Sequence, residues 1–154
     1  RNAVFLAEQG FCVKAIEISK AGVEKLSKIS KQNDLAIDIE LMDMRSFVFE
    51  ETYDLIIATY SFYLIERGHW MRLIGEMKAN TSQGGYNVVS NFTDRIPPPD
   101  DLKEFAIGMF GEGEIFDIYK DWEIVIQKSF IDEDEHPGGV KHRHAVNKIV
   151  ARKN

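Results

Sequence analysis

Cysteine occurs once in this chain of 154 residues, at Cys12. No internal disulfide can form, and a reducing cytoplasm is the expected setting. Proline is confined: three of the four stand together in Ile96-Pro97-Pro98-Pro99-Asp100-Asp101, which reads as a rigid extended loop. Positive charge is in the minority, with 19 Lys and Arg against 25 Asp and Glu, a net charge of −6 and a pI near 5.2. That balance argues against a broad nucleic-acid surface while leaving room for a small positive pocket. No apolar run reaches the ~18 residues of a membrane-spanning helix, and the N-terminal residues do not read as a signal peptide. No repeat or low-complexity tract is present. What remains is globular in composition, 44% hydrophobic and 11% aromatic, with the length of one domain.

The stretch Tyr53-Asp54-Leu55-Ile56-Ile57-Ala58-Thr59 reads as a strand buried on both faces, and a helical pattern follows over residues 66–80. An apolar strand feeding a helix is the unit of a parallel sheet. Ahead of it, residues 1–9 read as an apolar helix closed by Gly10, residues 11–18 as a short buried strand, and residues 20–32 as a helix with Ser19 at its N-cap. Val23, Leu26 and Ile29 form one apolar stripe on that helix. Asn33-Asp34 breaks it, residues 36–42 alternate as a strand nearer an edge, and Asp43-Met44-Arg45 reads as a loop. After the central strand, Trp70, Leu73, Ile74 and Met77 share a helical face, Ser82-Gln83-Gly84-Gly85 reads as a turn, and residues 86–92 as a strand.

The strict alternation then stops. Residues 102–110 and 112–119 are short helical candidates. Residues 122–130 and 146–151 are β-like, joined by the acidic run 132–135 and by Pro137-Gly138-Gly139. Two late strands without a helix between them imply an antiparallel pair at one sheet edge. The expected architecture is a Rossmann-like, doubly wound α/β domain over residues 1–154, mostly parallel with an antiparallel C-terminal strand. Residues 93–119 form an insertion over the site. The chain opens on Arg1-Asn2 directly into an apolar helix, so a preceding segment is expected and the domain is read as N-terminally truncated.

In such sheets ligands bind beyond the carboxyl ends of the strands. Glu17 ends the first strand, where a carboxylate suits the two hydroxyls of a ribose. Asp43 ends the next and can accept from an adenine amino group while Met44 packs on the ring. Each is also readable as an ordinary strand-end or turn acid; together, on consecutive parallel strands, they would line one crevice. A nicotinamide enzyme would use Glu17 as well, but the antiparallel end and Asp43 favour a nucleoside-sulfonium cofactor. Tyr60, Phe62 and Tyr63 follow the central strand and can wall a methyl-sulfonium by cation–π contact, although such runs also build cores.

His142-Arg143-His144 is the densest cationic cluster. On a strand the two histidines point the same way, and with His136 they would make a three-His set. No carboxylate or cysteine completes a recognisable spacing, and no metal is expected. The alternatives are a polar edge strand, or a site where Arg143 holds an oxyanion and His144 moves a proton. Asp94, just past a strand, is placed to orient such a group.

These residues also carry a family likeness. The matching pieces are Arg1-Asn2 with Leu6-Ala7 and Gly10; Tyr53-Asp54-Leu55-Ile56; Gly84-Gly85-Tyr86-Asn87; Glu112-Gly113-Glu114 with Tyr119 and Trp122-Glu123; and Arg143-His144-Ala145 with Ala151-Arg152-Lys153. In this order they cover nearly the whole chain, which resembles the class I S-adenosylmethionine-dependent methyltransferases and, within them, the tellurite-resistance group. The resemblance implies S-adenosyl-L-methionine as cofactor, with contacts from Arg1, Glu17, Ile18, Asp43, Met44 and Thr59. It implies active-site roles for Asp94, Arg143 and His144, and a small-molecule acceptor such as tellurite or another oxyanion or nucleophile. The family's first strand and its glycine-rich loop would precede Arg1. A nicotinamide-dependent oxidoreductase and a non-catalytic Rossmann-like binding module are the competing readings. No nucleic-acid or membrane partner is expected, and monomer and dimer both stay open.

Overall fold

The computed structural model describes residues 1–100, 102–135 and 141–154. They form an α/β, Rossmann-like fold whose backbone contacts gather into two compact units, Arg1–Val48 and Phe49–Asn154.

In the first unit, helix α1 (Asn2–Glu8) leads into strand β1 (Val13–Glu17), helix α2 (Lys20–Gln32) and strand β2 (Ile37–Leu41). α1 stops as its glycine predicts. Gly10 takes φ +88°, Gly10 N–H donates to Ala7 O at 3.0 Å and Phe11 N–H donates to Leu6 O at 3.2 Å, which closes the helix with a left-handed cap. α2 starts where Ser19 Oγ accepts from Gly22 N–H at 3.2 Å and ends where Asn33 Nδ2 donates to Ile29 O at 2.9 Å. Val23, Leu26 and Ile29 form its half-buried stripe. β1 and β2 pair in parallel from Val13↔Ile37 to Glu17↔Leu41, so both strands point their carboxyl ends the same way.

In the second unit, strand β3 (Tyr53–Thr59), helix α3 (Arg67–Ala79), strand β4 (Thr81–Phe92), helix α4 (Glu114–Ile118) and strands β5 (Glu123–Glu135) and β6 (Lys141–Arg152) build a sheet in the order β3-β4-β6-β5. β3 and β4 are parallel, while β6 runs antiparallel to both neighbours, so it alone opposes the sheet direction. Trp70, Leu73, Ile74 and Met77 are buried as their spacing predicts, and with Val89, Phe110, Ile115, Tyr119, Val146 and Ile149 they make the core. A buried polar relay ties three elements together there. Thr81 Oγ1 lies 2.6 Å from Met77 O and 2.8 Å from Asn87 Oδ1, and Asn87 Nδ2 donates to Tyr119 Oη at 2.9 Å. Burial drives the Tyr119 phenol pKa upward against that hydrogen bond.

Several expectations are corrected. Ser82-Gln83-Gly84-Gly85 is not a turn but a bulge within β4: the pairing with β3 shifts register between Tyr53 and Leu55, and Gly84 takes φ +76°. A Cβ on Gly85 would stand 2.9 Å from Asp54 O, so the strand backbones approach too closely for a side chain. Residues 102–110 are turns rather than a helix. Their backbone is claimed by other segments, with Gly108 N–H donating to Tyr63 O at 2.9 Å and Phe110 N–H to Phe92 O at 2.9 Å. The acidic run 132–135 extends β5 instead of looping, because it pairs across to Lys141 through His144, and Glu133 faces Arg143 at 3.6 Å. His136 and Pro137-Gly138-Gly139 lie outside the described residues.

Candidate functional site

Two rims of strand ends hold the residues singled out above, one in each unit. In the first, Glu17 closes β1 and its carbonyl accepts from Met42 N–H at 3.0 Å, so Asp43 follows at the same end of the neighbouring strand. Glu17 Oε1 accepts from Ser19 N–H at 2.8 Å, which turns the carboxylate over the start of α2. Gly22 makes that turn feasible: a Cβ there would stand 2.8 Å from Glu17 Cδ. Asp43 Oδ1 accepts from Arg45 N–H at 2.9 Å and Oδ2 from Arg45 Nε at 2.8 Å, which fixes the acid at the mouth of a short 3-10 turn, Met44–Ser46. Ile18 is 66% exposed, Met44 is half-buried, and Arg1 is exposed, its carbonyl accepting from Phe5 N–H at 3.1 Å.

In the second unit the rim begins at Thr59, the half-buried end of β3. Tyr60 follows at φ +52°, with its N–H donating to Ser90 O at 2.8 Å. Buried Asn91 then fastens two segments at once, since Oδ1 accepts from Tyr63 N–H at 3.0 Å and Nδ2 donates to Gly108 O at 3.1 Å. Phe92 sits among rings: Tyr60 at 5.3 Å, Tyr63 at 4.9 Å, and His144 stacked at 4.4 Å and 23°. Phe62, one of the aromatic run that also reads as core, is buried at 3% exposed.

β6 alternates in exposure from Lys141 to His144, so the buried His142 and His144 share one face and exposed Arg143 points to the other. The structure therefore does not bring Arg143 and His144 together; Arg143 lies beside Glu133 instead. Asp94 stands near the β6 side of the rim. Thr93 N–H donates to Ala145 O at 2.8 Å, and Asp94 Oδ1 accepts from Glu112 N–H at 3.0 Å.

Sequence reasoning missed what holds Asp94 in place. Thr93 Oγ1 donates to Glu112 Oε2 at 2.7 Å, and Asn147 Nδ2 donates to Glu112 Oε1 at 3.2 Å and to Ser129 Oγ at 2.8 Å. Asn147 Oδ1 accepts from Gly113 N–H at 2.7 Å. Burial pushes the Glu112 carboxyl pKa up, but hydrogen bonds from Thr93, Asn147 and Ser129 and the charge of Arg95 outweigh it, and the group stays below the usual carboxylate range. The available signal was asparagine in the middle of strands, at Asn87, Asn91 and Asn147, where that residue is disfavoured unless its amide is used. Among the described residues, no group of three His, Cys, Asp or Glu side chains gathers as for a metal ion. An open depression of about 580 Å³ lined by Gln127, Lys128, Ser129, Phe130 and Lys148 shares only Ser129 with this network.

Comparison with known proteins decides the family. The profile described as "Tellurite resistance protein TehB" matches residues 1–143. The chain belongs to the TehB family. It is 29% identical, over 159 aligned residues, to the probable S-adenosyl-L-methionine-dependent methyltransferase TehB of Haemophilus influenzae, covering 99% of this chain and 54% of that protein. It is 31% identical over 124 residues to Hemagglutinin 1 of Eikenella corrodens, covering 80% of this chain and 41% of that one. The crystal structure of TehB from Haemophilus influenzae superposes with a TM-score of 0.88 at 26% identity, over 99% of this chain and 54% of that chain. This TehB-family chain thus spans about half the length of the curated relatives it matches.

Proposed function

We propose that the chain serves S-adenosyl-L-methionine-dependent methyl transfer to a small-molecule acceptor. The observation that carries this reading is the placement of Glu17 and Asp43 at the same end of two paired parallel strands, each carboxylate fixed by a backbone N–H. The donor set fits an adenosine, with two hydroxyls for Glu17 and an amino group for Asp43. Gly22 leaves the space that Glu17 needs. Glu17 would hold the ribose, Asp43 the adenine amino group and Met44 the ring, with Ile18 and Arg1 of the same unit as further contacts.

The cofactor, when bound, supplies a methyl carbon made electrophilic by a sulfonium. Held by Glu17 and Asp43, it would supply that methyl to an acceptor lone pair, with the electrons of the carbon–sulfur bond staying on sulfur as a neutral thioether. The protein contributes alignment and exclusion of water, and alignment alone is worth about 7–11 kcal/mol. In the second unit His144 would set the protonation of the acceptor and Asp94 would orient it. The family's description favours an oxidised chalcogen such as tellurite. Such an acceptor would offer a tellurium lone pair to the methyl carbon; the tellurium would be formally oxidised by two electrons and the sulfonium, leaving as a thioether, would be the group reduced, so no outside oxidant is required.

Calorimetry of the natural protein with S-adenosylmethionine, S-adenosylhomocysteine and NAD tests the reading. Binding of both sulfur nucleosides, lost in Glu17→Ala and Asp43→Ala, is expected. Binding of NAD alone would overturn it in favour of a nicotinamide enzyme.

A further inference from the structure

β5 is the outermost strand of the β3-β4-β6-β5 sheet, so among the described residues only β6 pairs with it. Its other edge offers a row of backbone donors and acceptors along 13 residues, Glu123–Glu135. Edges of that kind are ordinarily blunted by short length, proline, inward-pointing charge or a bulge. β5 holds no proline, and its register shift against β6 stands near its start, between Ile124 and Ile126, which leaves the rest of the edge regular. Apolar side chains line it: Val125, Ile126, Phe130 and Ile131 are 51, 37, 36 and 40% exposed. The open depression lined by Gln127, Lys128, Ser129, Phe130 and Lys148 borders the same stretch.

Charge narrows what this edge can take. Lys128 of β5 stands directly opposite Lys148 of β6, and like charges so placed cost stability. Their neighbours on that face of the two strands, Ile126, Phe130, Val146 and Val150, are uncharged. Among the described residues neither lysine has an ion pair or a side-chain hydrogen bond within the chain, and neither has Asp132. An acid is wanting on the open side of Lys128, and a cation on the open side of Asp132. β5 supplies both to a copy of itself. A two-fold axis normal to the sheet at Phe130 sets that ring opposite its own copy, and sets Lys128, two residues before it, opposite Asp132 of the partner subunit, two residues after. Symmetry makes the contact twice. Moving the axis one residue towards Lys128 would oppose that lysine to Phe130, and moving it two would oppose it to itself. Parallel pairing would lay the acidic run 132–135 against its own copy, whereas antiparallel pairing sends the two runs to opposite ends. We propose that β5 pairs antiparallel with β5 of a second copy about an axis at Phe130, forming a symmetric dimer closed by two Lys128–Asp132 contacts. Asp132 also stands opposite His144 in the β5–β6 register, so the partner's Lys128 arrives beside the strand pair that carries a rim histidine.

Sedimentation velocity of the natural protein, from micromolar concentrations upwards, tests the pairing without any ligand, and far-UV circular dichroism checks that each variant is folded. The unaltered protein should sediment as a dimer. Lys128→Asp and Asp132→Lys should each weaken the dimer at least about tenfold, because each turns two attractions into two repulsions. The double variant Lys128→Asp with Asp132→Lys restores both contacts with the signs exchanged, and its dissociation constant should return to within about threefold of the original. Cys12, the single cysteine, is exposed, so a second test starts from Cys12→Ser. In that background Phe130→Cys should form an intermolecular disulfide on mild oxidation, and Val125→Cys should not, since only residue 130 faces its own copy. A monomer at every concentration would overturn the proposal. So would a dimer equally strong in all the charge variants, a double variant no better than the single ones, or failure of Phe130→Cys to cross-link.

Discussion

Replacing Asn147 with aspartate would test the polar network that holds the Asp94 rim. Asn147 has no exposed surface, and its Nδ2 stands 3.2 Å from Glu112 Oε1. In the variant a carboxylate oxygen takes that place with no proton between the two acids. Two unit charges ~4 Å apart repel by about 4 kcal/mol at an effective dielectric near 20. Glu112 is largely exposed, and solvent screening discounts this to roughly 1–3 kcal/mol. One shared proton relieves the repulsion, so the pair's folded pKa rises above its unfolded value. The variant's stability is then retained below the unfolded carboxylate pKa, near ~4, and is lost as pH rises through the folded pKa. The unaltered protein behaves oppositely. Its Glu112 pKa is lowered, so that contribution is present above the unfolded value and is lost as pH falls through the folded one. The deficit should therefore be small in acid and largest near neutral pH. Urea unfolding followed by the fluorescence of Trp70 and Trp122 at a series of pH values measures it. The double variant Glu112→Gln with Asn147→Asp exchanges amide and carboxylate and should recover most of the loss. A deficit independent of pH, or a double variant no more stable than Asn147→Asp alone, would refute the reasoning.

Two further substitutions probe the glycines that position the rims. A Cβ on Gly108 would stand 1.9 Å from Ile65 O and 2.4 Å from Phe62 O, so Gly108→Ala should destabilise the protein by about 2–3 kcal/mol in urea unfolding; unchanged stability would show that the 102–110 segment is not seated as described. Gly22→Ala should hold or raise stability by up to about 1 kcal/mol through helix propensity. It would also push the Glu17 carboxylate out of place and weaken S-adenosylhomocysteine binding about tenfold in calorimetry, the scale of one hydrogen bond to a charged group. Unaltered affinity would remove Glu17 from the nucleoside site.

Where chemistry is local, the sequence was sufficient. Ser19, Gly10 and Asn33 end or begin helices through bonds reaching only three to five residues, and α2 runs over Lys20–Gln32 as its caps and stripe require. Apolar runs located β1 and β3 and alternation located β2, so the strand ends that carry Glu17, Thr59 and Asp43 were legible, as was the shared face of His142 and His144 on a strand. The tertiary structure decided what depends on partners far along the chain. It set the insertion of β6 between β4 and β5, the bulge at Gly84, the turns of residues 102–110, and the capture of Glu112 by Asn147 and Thr93. It also separated Arg143 from His144, because extending β5 and β6 back to Glu135 and Lys141 made the cluster a regular strand with alternating faces. Helix periods and caps are written within one or two turns of chain, whereas strand register and buried polar pairing take their free energy from residues that meet only after folding.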